Sequence, residues 1–508
     1  MRRVIPLLIL LMLVLIQPAH AQIQCGVVGG IGFPVDPTRF TIMQDYGAQS
    51  YRHQGRYHTG EDWYGGDGVG EYVHAIADGR VTFSSPNGWG RDGGVIIIEH
   101  NFPDGSVAYS MYGHITDQTG VQFPAPFSCV RQGDVLAAVG DARPTPHVHI
   151  EIRTDDPSIP GAGYTWNAPA DEGLRRPSKF ILNWQTWLSD AYLWRLDLAD
   201  ESGVFAPPVP LADLGLLTLD TNRVIRVSED GRLLWRINLD RQAVSLIPSG
   251  DAALVAYTDG RLQRVNIDST LGESWETGIA LMGAPLILPD RLIFPTATGL
   301  TALSLDARTV LWSLEGIAPV SRWIAAGVQI GVMTTGGEML TISTDGTILD
   351  EARLREAGSL AFTDHLIAYT RGGLWQIDAA GEWTPFLNIA PAGGAESAVA
   401  ADDRVFLWDG ETLHGYNAEH FGLWQTPLPG VNGVANLAIY GNALLLTTSH
   451  GDIIAVQPES GGICNRTRIY GDNLSRMWHA LGADGVLRVH VADQVIGLDW
   501  DDFLLACA

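Results

Sequence analysis

A strand-and-turn pattern that returns every 36 to 43 residues fills this chain from residue 222 onward. In each copy a turn residue precedes a short run in which apolar residues alternate with others, and the copies begin at Asn222, Gly260, Gly299, Gly337, Gly373, Gly410, Gly451 and Gln494. An interval of this length holds four short strands. Such a unit cannot bury its apolar face alone, so each copy must pack against its neighbours.

These repeats predict a β-propeller of eight blades over residues 213–508, with seven as the alternative because the innermost strand of the first unit is undefined. Several units end alike, as at Leu234-Trp235 and Leu423-Trp424, and we expect these tryptophans to pack between blades. The segment from Gly299 to Trp312 resembles the quinoprotein-dehydrogenase-like (PQQ-like) propellers. Quinone enzymes of that class use adjacent cysteines, which this sequence lacks, so we expect a binding platform rather than an enzyme.

The first 21 residues have the three parts of a secretory signal peptide. Met1–Arg3 is basic, the run from Ile5 to Ile16 is apolar, and Ala19-His20-Ala21 is a small-residue cleavage site. We therefore expect cleavage after Ala21 and an exported, extracellular or periplasmic protein. No later run approaches the ~18 apolar residues of a membrane span, so no transmembrane segment is expected in the mature chain.

Composition and charge limit the function classes further. The chain has 508 residues, 46% hydrophobic and 18% charged, which is enough apolar material for two or three domains. Its net charge of -25 argues against nucleic-acid binding. In an oxidising compartment we expect the four cysteines to pair within domains, as Cys25–Cys129 and Cys464–Cys507.

Residues 40–155 alternate short β runs with glycine-rich turns and show almost no helical periodicity, which predicts an antiparallel sheet or barrel-like β domain. The expected fold class is thus all-β in both parts of the chain. We assign residues 22–190 to this first domain, with a core at 50–155, and the Pro-containing stretch 191–212 to a linker.

The strand-like segment Pro146–Arg153 contains the first candidate site. Successive side chains of a strand point to opposite faces, so His147 and His149 project the same way, about 6–7 Å apart. Two imidazole groups that converge can serve metal or proton chemistry. Taken alone, such a pair more often marks two histidines on a polar strand face.

His58 and Asp62 form a second candidate. On a straight strand they would lie about 13 Å apart, too far to share one ion. Gly60 between them allows a bend that brings both to one point. The alternative is an exposed turn with an incidental histidine and aspartate. A third candidate, His114, ends an apolar run and by itself is equally typical of a structural histidine.

The three segments in this order resemble the lysostaphin/LytM family of zinc endopeptidases, and the resemblance extends over roughly residues 50–155. It implies one zinc ion bound by three ligands and two histidines that act on the attacking water. The implied ligands are His58, Asp62 and His149, and the implied catalytic residues are His114 and His147. This donor set leaves zinc a fourth position, as catalytic zinc sites require.

The resemblance also implies cleavage of peptide cross-links in bacterial peptidoglycan, at glycine-containing or D-alanyl bonds. One departure from the family is the turn Gly140–Pro146, where a Gly-Ser/Thr-rich turn is usual. Trp89, in a glycine-rich segment, is either a shelf for substrate or an ordinary loop aromatic. The alternative function is a catalytically inactive LytM-like binding or activator module. In both cases we expect the propeller to bind a protein or envelope ligand and position the first domain.

Overall fold

The computed structural model is nearly all β, as the sequence predicts. It describes residues 25–37, 39–155, 159–198, 207–220, 222–317, 319–326, 329–353, 359–362, 366–370, 373–377, 383–386, 397–401, 404–417, 421–428, 431, 435–449, 451–469, 477–491 and 494–505. The predicted signal peptide and Cys507 lie outside these residues. The chain divides into two compact units, with the boundary between Pro177 and Ser178.

The first unit consists of short strands and three one-turn 3₁₀ helices, at Tyr51–His53, Gly90–Asp92 and Pro169–Glu172. Its strands are β1 (Phe40–Gln44), β2 (Gln49–Ser50), β3 (Arg56–His58), β4 (Glu61–Gly65), β5 (Tyr72–His74), β6 (Gly79–Ser85), β7 (Gly94–Asn101), β8 (Val107–Thr116), β9 (Cys129–Val130), β10 (Val135–Val139), β11 (Val148–Arg153), β12 (Tyr164–Thr165) and β13 (Leu174–Arg175). The strand-rich pattern predicted over 40–155 is therefore confirmed.

One antiparallel sheet organises the first unit, in the order β1-β4-β11-β8-β7-β6-β9. At its side β10 pairs with β5 and β8, and β13 pairs with β11; strands β12, β3 and β2 form a small second sheet. The position of β11 between β4 and β8 matters most, because its register places His149 opposite both Asp62 and Gly113. Three distant segments thus meet at one level of the sheet.

The second unit begins with helix α1 (Pro177–Trp187) and strand β14 (Tyr192–Asp197). Four antiparallel sheets of four strands follow. They are β15–β18 (Val209–Pro210, Leu216–Asp220, Arg223–Val227, Leu233–Asn238), β19–β22 (Ala243–Ser249, Ala252–Tyr257, Arg261–Asn266, Leu271–Glu276), β23–β26 (Leu286–Ile287, Arg291–Thr296, Gly299–Ser304, Val310–Glu315) and β27–β30 (Val320–Ala326, Gln329–Thr334, Glu338–Ser343, Ile348–Arg353).

Four more sheets of the same kind complete the unit. They are β31–β34 (Ser359–Phe362, Leu366–Thr370, Gly373–Ile377, Trp383–Phe386), β35–β38 (Ser397–Ala401, Arg404–Trp408, Thr412–Asn417, Gly422–Pro427), β39–β42 (Ala435–Tyr440, Ala443–Thr448, Asp452–Val456, Ile463–Arg468) and β43–β45 (Trp478–Leu481, Val486–Val491, Gln494–Asp499) with β14; helix α2 (Trp500–Phe503) follows β45. The eight predicted repeats correspond one to one to these eight sheets of the described chain, each repeat being a third strand.

The sheets form a ring. First strands of successive sheets are neighbours, as in the series β23, β27, β31, β35 and β39, and β15 lies beside both β19 and β43. The outermost strand of the last sheet is β14, which pairs with β45 and so ties the start of the unit to its end. The structure differs here from the linker expected over 191–212. Its described residues include β14 and β15, because their backbone groups complete two propeller sheets.

The tryptophans of the outer strands join each sheet to the next. Their Nε1–H groups donate to carbonyl oxygens in the turn between the third and fourth strands of the following sheet: Trp235 to Ile267 at 2.9 Å, Trp312 to Thr344 at 3.0 Å and Trp424 to Pro458 at 2.8 Å. Trp194 of β14 covers Gly231 in the first sheet, where a Cβ atom would lie 2.4 Å from the ring. These tryptophans pack between blades, as expected.

Two further expectations concern covalent bonds and membrane spans. Cys25 and Cys129 form the predicted disulfide, across 104 residues of chain. The second expected bridge, Cys464–Cys507, includes a residue outside the described ranges and stays a prediction. No helix in the described part of the chain has the length and hydrophobicity of a membrane span.

Candidate metal centre

All five side chains that the sequence singles out line one cleft of about 970 Å³ in the first unit. Asp62 is on β4, His58 ends β3 and His149 is on β11, while His114 is on β8 and His147 directly precedes β11. The sheet order places these segments side by side, so residues up to 91 positions apart are in contact.

Three of these residues form a group that fits a metal ion. His58 Nε2 lies 3.0 Å from His149 Nδ1, and Asp62 Oδ1 lies 3.2 Å from the former and 2.7 Å from the latter. A tetrahedral zinc ion with bonds near 2.0–2.1 Å keeps its ligand atoms roughly 3.3 Å apart. Two imidazole groups and a carboxylate are a zinc donor set, and all three side chains are buried. The residues present therefore fit a zinc ion.

The outward-facing nitrogen of each imidazole in this group is held by an acceptor. His58 Nδ1 donates to the carbonyl oxygen of Asp45 at 3.1 Å. His149 Nε2 donates to Glu151 Oε1 at 2.9 Å. A fixed proton on one nitrogen leaves the other nitrogen free to bind a metal, and acidic partners raise ligand basicity. The structure thus selects Nε2 of His58 and Nδ1 of His149 as the ligand atoms.

Glu151 is a site residue that the sequence analysis missed. It is buried on β11 and accepts hydrogen bonds from Thr59 Oγ1 at 2.5 Å and from Arg153 Nε at 2.7 Å, in addition to His149. Arg153 in turn donates from Nη1 and Nη2 to the carbonyl oxygens of Ile159 and Pro160, each at 2.5 Å. The sequence contained a pattern that could have identified Glu151. His149, Glu151 and Arg153 follow the same period-2 alternation as the histidine pair, so their side chains lie on one face of the strand.

The two other histidines present matching nitrogens to the cleft. His114 Nδ1 donates to the carbonyl oxygen of Asp92, and His147 Nδ1 donates to that of Thr145, both at 2.7 Å. Their ring centroids are 4.6 Å apart, and His147 Nε2 lies 3.6 Å from Asp62 Oδ2. Each ring therefore keeps Nε2 for proton transfer or for hydrogen bonding to a ligand in the cleft.

A β-bulge directs His114 into the cleft. Between β7 and β8 the register passes from Gly94 opposite Ile115 to Ile96 opposite Tyr112, so β8 has one extra residue there. His114 has a φ of 58°, in the left-handed region that non-glycine residues rarely occupy. Bulges beside functional sites re-aim side chains in this way. The sequence marks His114 only as the end of an apolar run.

Gly60 allows the bend between His58 and Asp62 for a steric reason. A Cβ atom at this position would lie 2.0 Å from the carbonyl oxygen of Ile150 on β11. The close approach lets β4 pair with β11 while His58 stays beside it. The predicted bend is therefore present, and glycine is needed because two backbones nearly touch.

Trp89 forms one wall of the cleft. Its ring packs edge-on against His114 and His149, with centroid distances of 4.8 and 5.4 Å, and its Nε1 donates to the carbonyl oxygen of Gly161 at 2.9 Å. Gly113 makes room for it, since a Cβ atom there would lie 2.3 Å from the ring. Trp89 therefore has both of the roles considered from the sequence. As a loop aromatic it packs against histidine rings, and as a wall residue it borders the space for a ligand.

Burial opposes the charge of His149, but hydrogen bonds to Asp62 and Glu151 outweigh it and raise the pKa of this ring to about 9, so a zinc ion has to displace a proton from it. Burial likewise opposes the charge of Asp62, but hydrogen bonds to His149 and His58 outweigh it and hold the pKa of this carboxyl well below its usual range. Burial, with smaller effects of the neighbouring imidazoles, lowers the pKa of His114 to about 4. His114 is therefore neutral at pH 7 and has an unprotonated Nε2.

A buried group that fits a metal ion thus lies beside two histidines on an antiparallel sheet, and an eight-sheet propeller follows it in the sequence. Residues 56–160 match the model of peptidase family M23, and residues 188–365 match the family model of outer membrane protein assembly factor BamB. These matches confirm both resemblances, to the LytM-type peptidases and to the PQQ-like propellers.

Solved structures resemble the chain at low identity. The computationally designed Ika8 protein is 13% identical with a TM-score of 0.51, and the match covers 61% of this chain and 99% of that one. BamB from Moraxella catarrhalis is 16% identical (TM-score 0.47; 61% and 99% covered), and virginiamycin B lyase from Staphylococcus aureus is 13% identical (TM-score 0.37; 60% and 98% covered). Of these three similarities, only the one to the designed Ika8 protein, with a TM-score of 0.51, supports a shared fold. No curated protein matches the chain.

Proposed function

We propose that this chain is an exported zinc metalloendopeptidase that hydrolyses peptide cross-links of bacterial peptidoglycan. The observation that carries the proposal is the convergence of His58, Asp62 and His149, with ligand atoms within 4.8 Å of one another, in the cleft that also contains His114 and His147. The match of residues 56–160 to peptidase family M23 supports the peptidase class.

The side chains divide the work by position. His58 Nε2, Asp62 Oδ1 and His149 Nδ1 hold the ion, and Glu151 orients the ring of His149. When bound, zinc supplies a Lewis acid that activates water and polarises a peptide carbonyl. His114 Nε2, unprotonated at pH 7, accepts a proton from the attacking water. His147 donates from Nδ1 to the carbonyl oxygen of Thr145, so its Nε2 would accept a hydrogen bond from the water and orient it.

Export rests on two observations. The first 21 residues have the composition of a signal peptide, and the first unit is closed by the Cys25–Cys129 disulfide. Structural disulfides persist in secreted and periplasmic compartments, where peptidoglycan is found.

For the propeller we propose a binding and positioning role. The likeness of residues 188–365 to an outer membrane protein assembly factor favours a protein or envelope ligand. The alternative for the first unit, an inactive LytM-like module that activates another hydrolase, is disfavoured because none of the five residues that the family resemblance implies is replaced in this chain.

Digestion of purified peptidoglycan tests the proposal. The full-length mature chain is incubated with sacculi, with and without a chelator, and the released peptides are identified by mass spectrometry. We expect newly exposed peptide termini that depend on zinc, and none from an Asp62→Ala variant, which also loses the metal. Asp104→Ala, in an exposed turn between β7 and β8, is the matched control and should behave as the unaltered chain.

Two results would refute the proposal. Zinc at full occupancy in the Asp62→Ala protein would show that the ion lies elsewhere. A zinc-loaded chain that releases nothing from sacculi, yet enhances the activity of a second hydrolase, would establish the activator function instead.

A further inference from the structure

Unpaired arginines are concentrated around the candidate metal centre. In the described residues of the first unit, the guanidinium groups of Arg52, Arg91, Arg131 and Arg143 have no hydrogen bond, ion pair or aromatic contact; others, such as Arg80 with Glu99, are paired. Three of these four arginines line the cleft: Arg52, Arg91 and Arg143. All three are exposed. The chain as a whole has a net charge of -25, so this local cluster opposes its overall charge.

Each cleft arginine belongs to a segment that positions a group of the site. Arg91 precedes Asp92, whose carbonyl oxygen holds His114. Arg143 lies two residues before Thr145, whose carbonyl oxygen holds His147. Both arginines therefore belong to loop segments whose backbone carbonyl groups hold the rings of His114 and His147.

Arg52 lies on a third wall. It precedes His53, whose ring stacks on Tyr164 with a centroid distance of 3.7 Å. Tyr164 in turn packs 5.2 Å from the ring of His58, one of the metal-binding residues. The three arginines that line the cleft thus come from three separate segments of the chain.

The acidic groups of the cleft do not neutralise this cluster. Besides Asp62, the exposed carboxylates that line it belong to Asp92 and Asp141, and among the described residues neither pairs with the three arginines. Guanidinium groups stay protonated at any working pH and present planar donors that match carboxylates. Outside the metal-binding group, which includes Asp62, the cleft thus has three guanidinium groups and two carboxylates, a balance that favours anionic ligands over neutral ones.

We infer that Arg52, Arg91 and Arg143 select peptides that carry free carboxylates. The inference rests on the proposed peptidase function and narrows its substrate: of the two kinds of bond that the family resemblance implies, it favours those in carboxylate-bearing stem peptides over uncharged glycine bridges. Arg143 lies in the Gly140–Pro146 turn, where this chain departs from the family, so the departure supplies a charged wall.

Two synthetic peptides of the same sequence test the inference, one with free carboxylates and one with the same groups amidated. We expect the full zinc-loaded chain to cleave the acidic peptide with the higher kcat/KM, and rising salt to reduce this preference. Arg143→Gln, Arg52→Gln and Arg91→Gln should each raise KM for the acidic peptide about three- to tenfold, and leave kcat and the amidated peptide nearly unchanged. Arg131→Gln, an equally unpaired arginine outside the cleft, is the control.

Equal cleavage of both peptides by the unaltered chain would overturn the inference, and so would equal losses on both peptides in the variants. If neither peptide is cleaved, the proposed function fails on that substrate, and binding of the same peptides, measured by fluorescence anisotropy, decides the inference separately. Tighter binding of the acidic peptide that the three substitutions abolish would support it. Equal binding of both peptides would refute it.

Discussion

The two units of this chain are built by contacts of different range. In the first unit, the side-chain contacts that assemble the site join residues far apart, 91 positions for His58 with His149 and 92 for Thr59 with Glu151. In the second unit, the tryptophan bonds between sheets join residues 32 to 34 positions apart and recur around the ring. Function in the first unit therefore depends on a few irreplaceable contacts, whereas the second repeats one contact many times.

This difference predicts where single substitutions have consequences. Nearest-neighbour packing spreads stability over many equivalent interfaces, so no single blade contact is decisive. In the first unit, the proposed function implies that the loss of one side chain removes a ligand, a proton acceptor or the partner that orients either. The predictions below compare matched residues in the two units, from the largest expected effect to the smallest.

The catalytic histidines should separate chemistry from metal binding. His114→Ala and His147→Ala each remove an Nε2 that faces the cleft but is not part of the metal-binding group. We expect the rate of peptide cleavage to fall by about 10²–10⁴, the range for general acid–base groups. Zinc content, measured by atomic emission, should stay near that of the unaltered protein.

His414 provides the control from the second unit. It is buried and hydrogen-bonded to Asp409 at 2.8 Å, as the site histidines are bonded to their partners. His414→Ala should leave cleavage unchanged. A loss of zinc from the His147→Ala protein would instead mean that the roles within the His147–His149 pair are exchanged.

Acid should destabilise the first unit through His100. This histidine is buried, with Nδ1 donating to the carbonyl oxygen of Asp78 and Nε2 bonded to Ser110 Oγ, and burial lowers its pKa from 6.5 to about 4. Because the unfolded chain binds the proton more readily, the contribution is complete above pH 6.5 and is lost as the pH falls to 4. The loss approaches about 3 kcal/mol, roughly a hundredfold in the unfolding equilibrium.

His479 is the comparison in the propeller. Burial lowers its pKa to about 4 as well, so the same fall in pH should destabilise the second unit by a similar amount. Hydrogen exchange, measured separately for each proteolytic peptide at pH 7 and pH 5, reports the stability of each unit. The measurement uses the metal-free Asp62→Ala protein, so that pH effects on zinc binding do not contribute. His100→Gln in that background should reduce the pH dependence of the first unit; an unchanged dependence would refute the assignment.

Removal of the charge on Glu151 should weaken zinc binding without removing a ligand. Glu151→Gln keeps the shape of the side chain but loses the carboxylate that accepts from His149 Nε2 and Arg153. Substitution of such outer partners typically costs 10–100-fold in metal affinity or activity. Competition with a fluorescent zinc chelator measures the affinity. Glu99→Gln, which breaks the pair with Arg80 elsewhere in the same sheet, is the matched control.

The propeller was largely predictable because the same turn-and-strand pattern recurs in each of its sheets. Each third strand follows a turn residue, and eight such strands gave eight sheets. The exception is β14: a single strand that is separated in sequence from its partner β45 carries no periodic signal, so the stretch around it suggested a linker. Long-range pairing of one strand with the end of the unit depends on ring closure, which no local pattern encodes.

In the first unit, residue types and their spacing identified five candidate side chains. The groups that orient these side chains were harder to predict from the sequence. Asp45, Asp92 and Thr145 contribute backbone carbonyl oxygens, and a carbonyl has no side-chain signature in a sequence. The bulge at His114 likewise depends on the register between β7 and β8. Glu151 was the exception, because the strand alternation that identified His147 and His149 extends to it.

Separation of the units should have the smallest effect on chemistry. A chain that ends at Arg176 retains the first unit, including the contact of Arg176 Nη1 with Asp45 Oδ1 at 2.5 Å, and stops before α1. Compact units with their own cores commonly fold alone, so we expect cleavage of small peptides within about twofold of the full chain. Activity on intact sacculi should fall much further, since the proposed binding platform is absent. Kinetics on both substrates, with zinc content as the control, measure the two effects.

The truncated chain also distinguishes a platform from a structural contribution to the site. Every hydrogen bond that orients the five site residues comes from the first unit, from Asp45, Asp92, Thr145 and Glu151. Nothing that fixes the ligand nitrogens is therefore lost at the cut, and a zinc-loaded truncation that still fails on small peptides would contradict the platform role. A truncated chain that digests sacculi as fast as the full chain would also contradict the platform role, because the propeller would then add no binding to this substrate.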